Sequence, residues 1–409
     1  MNREEAARHF EEEVVTVERQ HMLLMLDTCL QRDQEQLIEA YLSSFQALCR
    51  QIREAQLAGR KGAISYITYS FLRTEIVAGR AYDLVEAADH RWFLDSDPIR
   101  LEYDAGWAFG VLDQMMERLE QAARFYMGKI ASSELQRIRM RECEAVHRYV
   151  AALIRAAMPE AVKTAEYMEL QREDIFEIRA GEYCDTSECV YREDKRQLVA
   201  ANVKDWLSER NLYDYTYNAF GELELQRMIC DELDFRYTAF RGTQLDGTSF
   251  KQGILLGTSW QSCSLRSTDF TGSVVSGAKF DGCCLREAVL RGITGSSGRL
   301  DPAWRGPALE GVSFRDCDLT GADLRDAWLE GADLRGACLD GVDLRGAQLA
   351  GILWTGASLE GTILNEDALA HLDLRQVKGI PQLRSDEAER QDMIEQIKHE
   401  VLSEKEGIH

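Results

Sequence analysis

From about residue 231 to 375, large apolar side chains return at every fifth position. Phe235, Phe240, Leu245, Phe250, Leu255, Trp260, Leu265, Phe270, Val275, Phe280, Leu285 and Leu290 form one series, and a second runs from Leu309 through Phe314, Leu319, Leu324, Leu329 and Leu334 to Leu364. Two positions before most of them sits a small residue, such as Thr248, Thr268, Ala278, Cys283, Ala322, Ala327, Ala332 or Ala347. A period of five matches neither the 3.6 of an α-helix nor the 2 of a simple strand, so the backbone must turn at regular intervals. If the large residue and its small neighbour both point inward, four units close a coil of about 20 residues. Each coil then buries its large residues only by stacking on the next, which is the logic of a solenoid.

The units quoted from this stretch, ADLRD, ADLRG and VDLRG, resemble the pentapeptide-repeat family. That resemblance covers about a third of the chain and implies a right-handed quadrilateral β-helix over residues 226–380. The two series are out of phase: Leu290 and Leu309 are nineteen residues apart, so a whole number of units cannot link them. The intervening segment, residues 291–308 (RGITGSSGRLDPAWRGPA), is rich in Gly, Ser and Pro and reads as an irregular loop. It carries Arg291, Arg299, Trp304 and Arg305, residue types enriched at interface hot spots, and these four are the candidate partner-binding residues. After Pro381, Ala388, Ile394, Ile397 and Val401 share one side of an expected C-terminal helix over 381–409. Its expected role is to cap the exposed end of the solenoid. The resemblance also implies a homodimer contact there.

Residues 1–225 read as an all-α helical bundle of five to seven helices, which makes the chain an α+β multidomain protein. Leu37, Tyr41, Phe45, Leu48 and Ile52 lie on one helix face, as do Ala108, Leu112, Met115, Leu119, Ala122 and Tyr126 behind an N-cap at Asp104. A third run, Leu135 to Leu153, is expected to stop before Pro159. The aromatic stretch SYITYSFLRT (Tyr66, Tyr69, Phe71) is read as a packed core helix, and residues 195–210 as a last helix leading into the solenoid.

No catalytic constellation is expected. The sequence lacks a Gly-rich phosphate loop, a Gly-x-Ser-x-Gly elbow and a His-Glu-x-x-His. Two Glu-x-x-His pairs, Glu18–His21 and Glu144–His147, have the spacing used in di-iron bundles, but in so acidic a chain they read as surface or capping residues. Cys184 and Cys189 have no second ligand pair nearby and read as isolated thiols. No cofactor and no metal are expected.

Forty-eight basic against 70 acidic residues give a formal charge of −22, which disfavours a phosphate backbone as ligand. Residues 231–380 hold 15 basic and 21 acidic side chains, so most of the excess lies elsewhere. The N-terminus MNREEAARHFEEE lacks an apolar signal region, no stretch is long and apolar enough for a membrane span, and three cysteines occupy the small inward register. A cytoplasmic location is the expectation, since reducing conditions keep such thiols free.

Three functions follow as expectations. The first is a non-catalytic adaptor that presents surface to protein partners. The second comes from the resemblance: a DNA mimic that binds DNA gyrase or topoisomerase IV, as in fluoroquinolone resistance. The third is a metal-dependent enzyme in the N-terminal bundle, which requires the two Glu-x-x-His pairs to converge.

Overall fold

The computed structural model describes residues 2–211, 215–298, 305–365, 376–379 and 381–383. The chain divides into two compact units. One comprises residues 1–196 together with 301–308, and the other residues 197–300 and 309–409.

In the first unit, α1 (Arg3–His9) runs through a π-helical stretch (Phe10–Val15) into α2 (Thr16–Arg32), followed by α3 (Gln34–Leu57). Strand β1 (Ile64–Phe71), short helix α4 (Arg73–Val77), β2 (Tyr82–Ala88) and β3 (Ile99–Asp104) come next. Helices α5 (Gly106–Arg124), α6 (Ser132–Ala161) and α7 (Ala165–Met168) precede β4 (Arg172–Glu182) and β5 (Ser187–Asp194). The strands form one sheet in the order β3-β2-β1-β4-β5, with β1 and β4 parallel and the other pairs antiparallel.

The N-terminal unit is therefore helical in part but not all-α. The stretch read as a core helix, SYITYSF, is the central strand β1. All its residues but Tyr66 are buried, so it shows no in–out alternation, and an apolar run of this kind cannot be told from a buried helix by periodicity. Its β-branched and aromatic content and the short space between Gly62 and Leu72 favour the strand. In β4, Phe176, Ile178 and Ala180 are buried and alternate with the less buried Glu177 and Arg179, a period-two signal set among more prominent helical ones.

One core packs Ile67, Tyr69, Phe71, Val85, Phe176 and Ile178 of the sheet with Tyr41, Phe45, Leu48 and Ile52 of α3 and with buried residues of α5 and α6. The α3 face is the one expected from its spacing; the N-cap of α5 is Ala105 and not Asp104, whose carboxylate, one residue earlier, accepts the Gly106 N–H at 2.8 Å. Helix α6 continues past Pro159 to Ala161, because a proline in the final turn forfeits one internal bond that the packed helix tolerates.

The second unit starts earlier than residue 226. Helix α8 (Ala200–Ser208) packs on the first coil through Val203 and Leu207, and the Tyr215 hydroxyl donates to the Trp206 carbonyl at 2.8 Å. Short parallel strands β6 (Ala219–Gly221), β7 (Ala239–Arg241) and β8 (Ser259–Gln261) are already in step with the repeat. Residues 197–225, placed by sequence in the N-terminal domain, therefore belong with the solenoid. Tyr215, Phe220, Leu225 and Cys230 fill inward positions that extend the five-residue series backwards.

Parallel bridges join residues 20 apart at every fifth position, as in Glu224 with Gln244, Ile229 with Ser249 and Asp234 with Ile254, giving four ladder positions per coil. Between them the chain turns through one left-handed residue per unit, for example Tyr217 at φ +58° and Gly336 at φ +70°. That conformation costs a glycine nothing, which is why glycine is common at this place in the repeat. Inside, aromatic rings stack coil on coil. Phe240 lies 4.0 Å from Trp260 with planes 5° apart, and Phe280 5.2 Å from Phe314.

The small inward residues also bond. Thr248 donates to the Leu225 carbonyl at 2.7 Å and Ser273 to that of Phe250 at 2.5 Å, each 23 residues back. Cys283 makes the same contact to Trp260 at 3.4 Å, and burial pushes the Cys230 and Cys317 thiols up to about 12. At the surface Arg325 grips Asp323 at 2.8 and 2.6 Å, a pattern repeated by Arg335 on Asp333 and Arg345 on Asp343.

The phase slip has a defined size. The ladder joins Lys279 to Ser313, Cys284 to Asp318, Val289 to Asp323 and Thr294 to Trp328, 34 residues apart instead of 20, and then returns to 20. One coil thus carries 14 extra residues. They leave through a neck in which Gly298 and Leu309 exchange two backbone hydrogen bonds of 2.8 and 2.7 Å. Leu309, expected to resume the inward series, sits half-buried in that neck, and Phe314 is the first large inward residue after the insertion. Gly295 is buried, and a Cβ there would lie 2.6 Å from Val312 Cγ1, so a larger residue at this place requires Val312 to shift.

Strand β9 (Ile363–Leu364) pairs in parallel with β10 (Gln382–Leu383). Residues 382–383, expected to open the C-terminal helix, are thus strand, because they continue the ladder beside β9; the rest of that expected helix, residues 384–409, lies outside the described residues. No helix among the described residues is long and apolar enough to cross a membrane.

Deleting Gly295–Ala308 removes 14 residues and joins Thr294 to Leu309, restoring unbroken five-residue spacing with Leu309 at an inward position. The variant should keep its β circular-dichroism signal, with a melting temperature within about 4 °C of the parent, the shift that ~1 kcal/mol produces in a domain of this size. Leu334→Asp places an unpaired charge in the solenoid interior and should abolish its cooperative unfolding transition in the same measurement.

Candidate functional site

The groups with chemical potential in the first unit are separately engaged. Glu18 is bound by Arg118, while the exposed His21 stands 3.9 Å from it. Glu144 is exposed and pairs with Arg148 at 2.9 Å. His147 is neither a surface nor a capping residue: it is buried beneath Phe71 and Phe109, with Nε2 2.8 Å from the buried Asp83 carboxylate. The two Glu-x-x-His pairs thus serve four different contacts. Among the described residues no group of three or more His, Cys, Asp or Glu is placed to hold a metal ion. Cys184 is exposed in the β4–β5 turn, and burial pushes the Cys189 thiol up to about 12. A second buried pair, Lys61 with Asp95, fixes the β2–β3 loop, where Asp95 also accepts the N–H groups of Asp89 and Asp97 at 2.9 and 3.0 Å.

On the solenoid the residue just before each inward large one belongs to the ladder and points outward, so four columns of side chains run along the rod. Three of them mix charged, hydroxyl and occasional apolar residues, as where Leu353 bridges to Asp333 or Ile229 to Ser249. The fourth is different. Ile254, Val274, Thr294 and Trp328 follow one another through consecutive coils, joined by the bridges Ile254–Val274, Val274–Thr294 and Thr294–Trp328. With coils at the usual strand spacing of about 4.8 Å, this row is roughly 15 Å long. Ile254 is 39% and Trp328 56% exposed. Val274 and Thr294 between them are half-buried, so the row is uncharged with an exposed apolar group at each end, and such a strip can give another molecule apolar surface to cover.

Charge borders the row. Arg291 lies three residues before Thr294 and pairs with Asp326 at 3.3 Å, and its coil is bonded to the next through the Gly292 N–H and the Arg325 carbonyl at 2.9 Å. The Arg325 guanidinium holds the Asp323 carboxyl below its usual range. An exposed Trp beside arginine ion pairs is the residue chemistry from which interface hot spots are built.

Of the four candidate partner-binding residues, Arg291 lies at the edge of this row. Arg305 belongs to the first unit, where its guanidinium stands 3.9 Å from Glu142. Arg299 and Trp304 lie outside the described residues. Sequence reasoning passed over Trp328 and Ile254. Their signal was an apolar residue at the register where neighbouring units carry Asp or Ser, but aligning 294 with 328 requires knowing the insertion's length.

A family model described as pentapeptide repeats matches residues 257–292, 305–336 and 337–376 in eight copies. A search of curated proteins finds no match. Among solved structures, the chain is similar to HetL, a pentapeptide repeat protein involved in heterocyst differentiation regulation from Nostoc sp. strain PCC 7120. That similarity has 20% identity and a TM-score of 0.25, over 41% of this chain and 84% of that one. It is also similar to a trypsin-treated variant of QnrB1, a plasmid-mediated fluoroquinolone resistance protein, at 20% identity and a TM-score of 0.23, over 46% of this chain and 93% of that one. Rfr23 from the cyanobacterium Cyanothece 51142 gives 18% identity and 0.19, over 39% and 98%. Scores of this size carry no argument about role.

Because Trp328 makes no contribution to the solenoid interior, Trp328→Ala should change stability by no more than about 0.5 kcal/mol in thermal or denaturant unfolding. A loss of several kcal/mol would mean that the residue is structural.

Proposed function

We propose that this chain, a member of the pentapeptide-repeat family through its C-terminal solenoid, is a non-catalytic protein-binding protein. The observation that carries the reading is the outward row Ile254–Val274–Thr294–Trp328, edged by Arg291 and Asp326. The fold does not need these side chains, since the backbone ladder and the inward residues already satisfy it. Their apolar character is therefore available for a partner.

The partner implied is a protein with a complementary apolar strip and a carboxylate or arginine at its margin. A nucleic-acid backbone fits poorly, because the row is uncharged and the full chain carries −22. The solenoid is taken to be right-handed and quadrilateral, and the C-terminal segment to cap it or to pair with a second copy. Arg291 is the member of the candidate loop set that acts at this surface.

The test uses the full-length chain as bait in a bacterial lysate, beside Trp328→Glu and Arg291→Ala, with retained proteins read by mass spectrometry. A partner held by the parent should be lost with Trp328→Glu and reduced several-fold with Arg291→Ala. If Trp328→Glu holds the same proteins as the parent, the row is not the binding surface. Retention of gyrase or topoisomerase IV subunits would identify the partner as the one expected of a DNA mimic.

A further inference from the structure

The 14-residue insertion is not needed to continue the ladder, which is in register on both sides of it. Its described end, Arg305–Ala308, instead packs within the first unit. Gly306 is buried there and Pro307 and Ala308 half-buried, an unusual state for the end of a loop rich in Gly, Ser and Pro.

Three side chains receive this end. The Ala308 N–H donates to the Asp27 carboxylate of α2 at 3.0 Å. The Tyr149 hydroxyl of α6 lies 2.9 Å from the same carboxylate, 3.2 Å from the Leu23 carbonyl and 3.4 Å from the Gly306 carbonyl. The Arg305 guanidinium approaches Glu142, which is fully buried in α6. Glu142 already accepts from Arg19 at 3.0 and 3.0 Å and from Arg141 at 2.9 Å, with Glu11 bridging those two arginines at 3.2 and 2.8 Å.

Two arginines thus neutralise Glu142 before Arg305 arrives, so at 3.9 Å and partly exposed this third arginine adds little. The backbone contact to a charged acceptor, the Ala308 N–H on Asp27, is the stronger holding point.

From this we propose that Asp27 and Tyr149 form a receptor site between α2 and α6 for the chain's own insertion, and that the insertion exists to be held there. The site reads backbone: a carboxylate takes the N–H of Ala308 and a phenol hydroxyl stands by the carbonyl of Gly306, while Glu142 orients the arginine that precedes them. Arg305 is thereby engaged within the first unit. The site would accept, in place of 305–308, an extended segment with the same donor and acceptor two residues apart and a basic residue in front.

The test is amide hydrogen exchange on the full-length chain, followed in peptides covering 305–310, beside Asp27→Ala, Tyr149→Phe and Arg305→Ala. In the parent, the Ala308 amide should exchange far more slowly than in an unstructured peptide. Asp27→Ala should raise its rate about tenfold or more, the effect of losing one hydrogen bond to a charged acceptor. Tyr149→Phe should raise it by a smaller factor and Arg305→Ala least. Peptides covering 239–261 report whether each variant is still folded, and their protection should not change. Parent exchange of 305–310 at the unstructured rate would overturn the proposal, as would equal rates in the parent and a folded Asp27→Ala. If Asp27→Ala fails to fold, Tyr149→Phe decides in its place, and protection there equal to the parent's would again overturn it.

Discussion

The backbone hydrogen bonds between residues 20 apart are the constraint from which the solenoid follows. Each unit gives its N–H and C=O groups to the coils before and after it, so the chain has to turn on schedule, and a left-handed residue recurs in every unit. The schedule fixes which side chains look inward, and the interior has no room for a choice. Large apolar groups stack on their counterparts one coil away, while the small residue beside each either fits as alanine or returns a hydroxyl or thiol to a carbonyl 23 residues back. Even the insertion obeys this rule. Cys317 makes the same bond to Phe280 at 2.9 Å across 37 residues, the usual 23 lengthened by the 14 inserted.

Because the ladder consumes backbone groups and the interior consumes inward side chains, the outward columns are left nearly free of structural duty. Most of this surface is spent on local ion pairs, with aspartates bound by arginines two residues on. The row from Ile254 to Trp328 carries no charge over four successive coils. That difference along one face, where the fold gives no reason for it, is what the proposed protein-binding role rests on.

The first unit meets its burial problem differently. A five-stranded sheet packs its aromatic face on long helices, and the ionisable groups enclosed with it come in pairs or clusters: His147 with Asp83, Lys61 with Asp95, Glu142 with two arginines. Pairing of this kind is what makes buried charge tolerable, since removing one partner leaves the other uncompensated. These contacts account for the histidines and acids that a chemical reading of the sequence would single out, and they do so structurally.

The sequence by itself determined the solenoid, its period, nearly all its inward residues and the presence of a break after Leu290, because a five-residue register repeated along the rod is local information, though it took Leu309 for an inward residue. It also placed the buried face of α3, while the N-cap of α5 is Ala105, one residue after the expected Asp104. It did not determine the sheet of the first unit: the fully buried β1 loses the alternation that identifies strands, and β4 meets it across about a hundred residues. Nor could it show that Tyr215 and Phe220 already belong to the rod, since their inward role depends on the coil above them and the helix that covers them. Only the tertiary structure aligned Thr294 with Trp328 across the insertion and set Ala308 on Asp27. Both are contacts between residues far apart in sequence, and no local pattern specifies such a pairing.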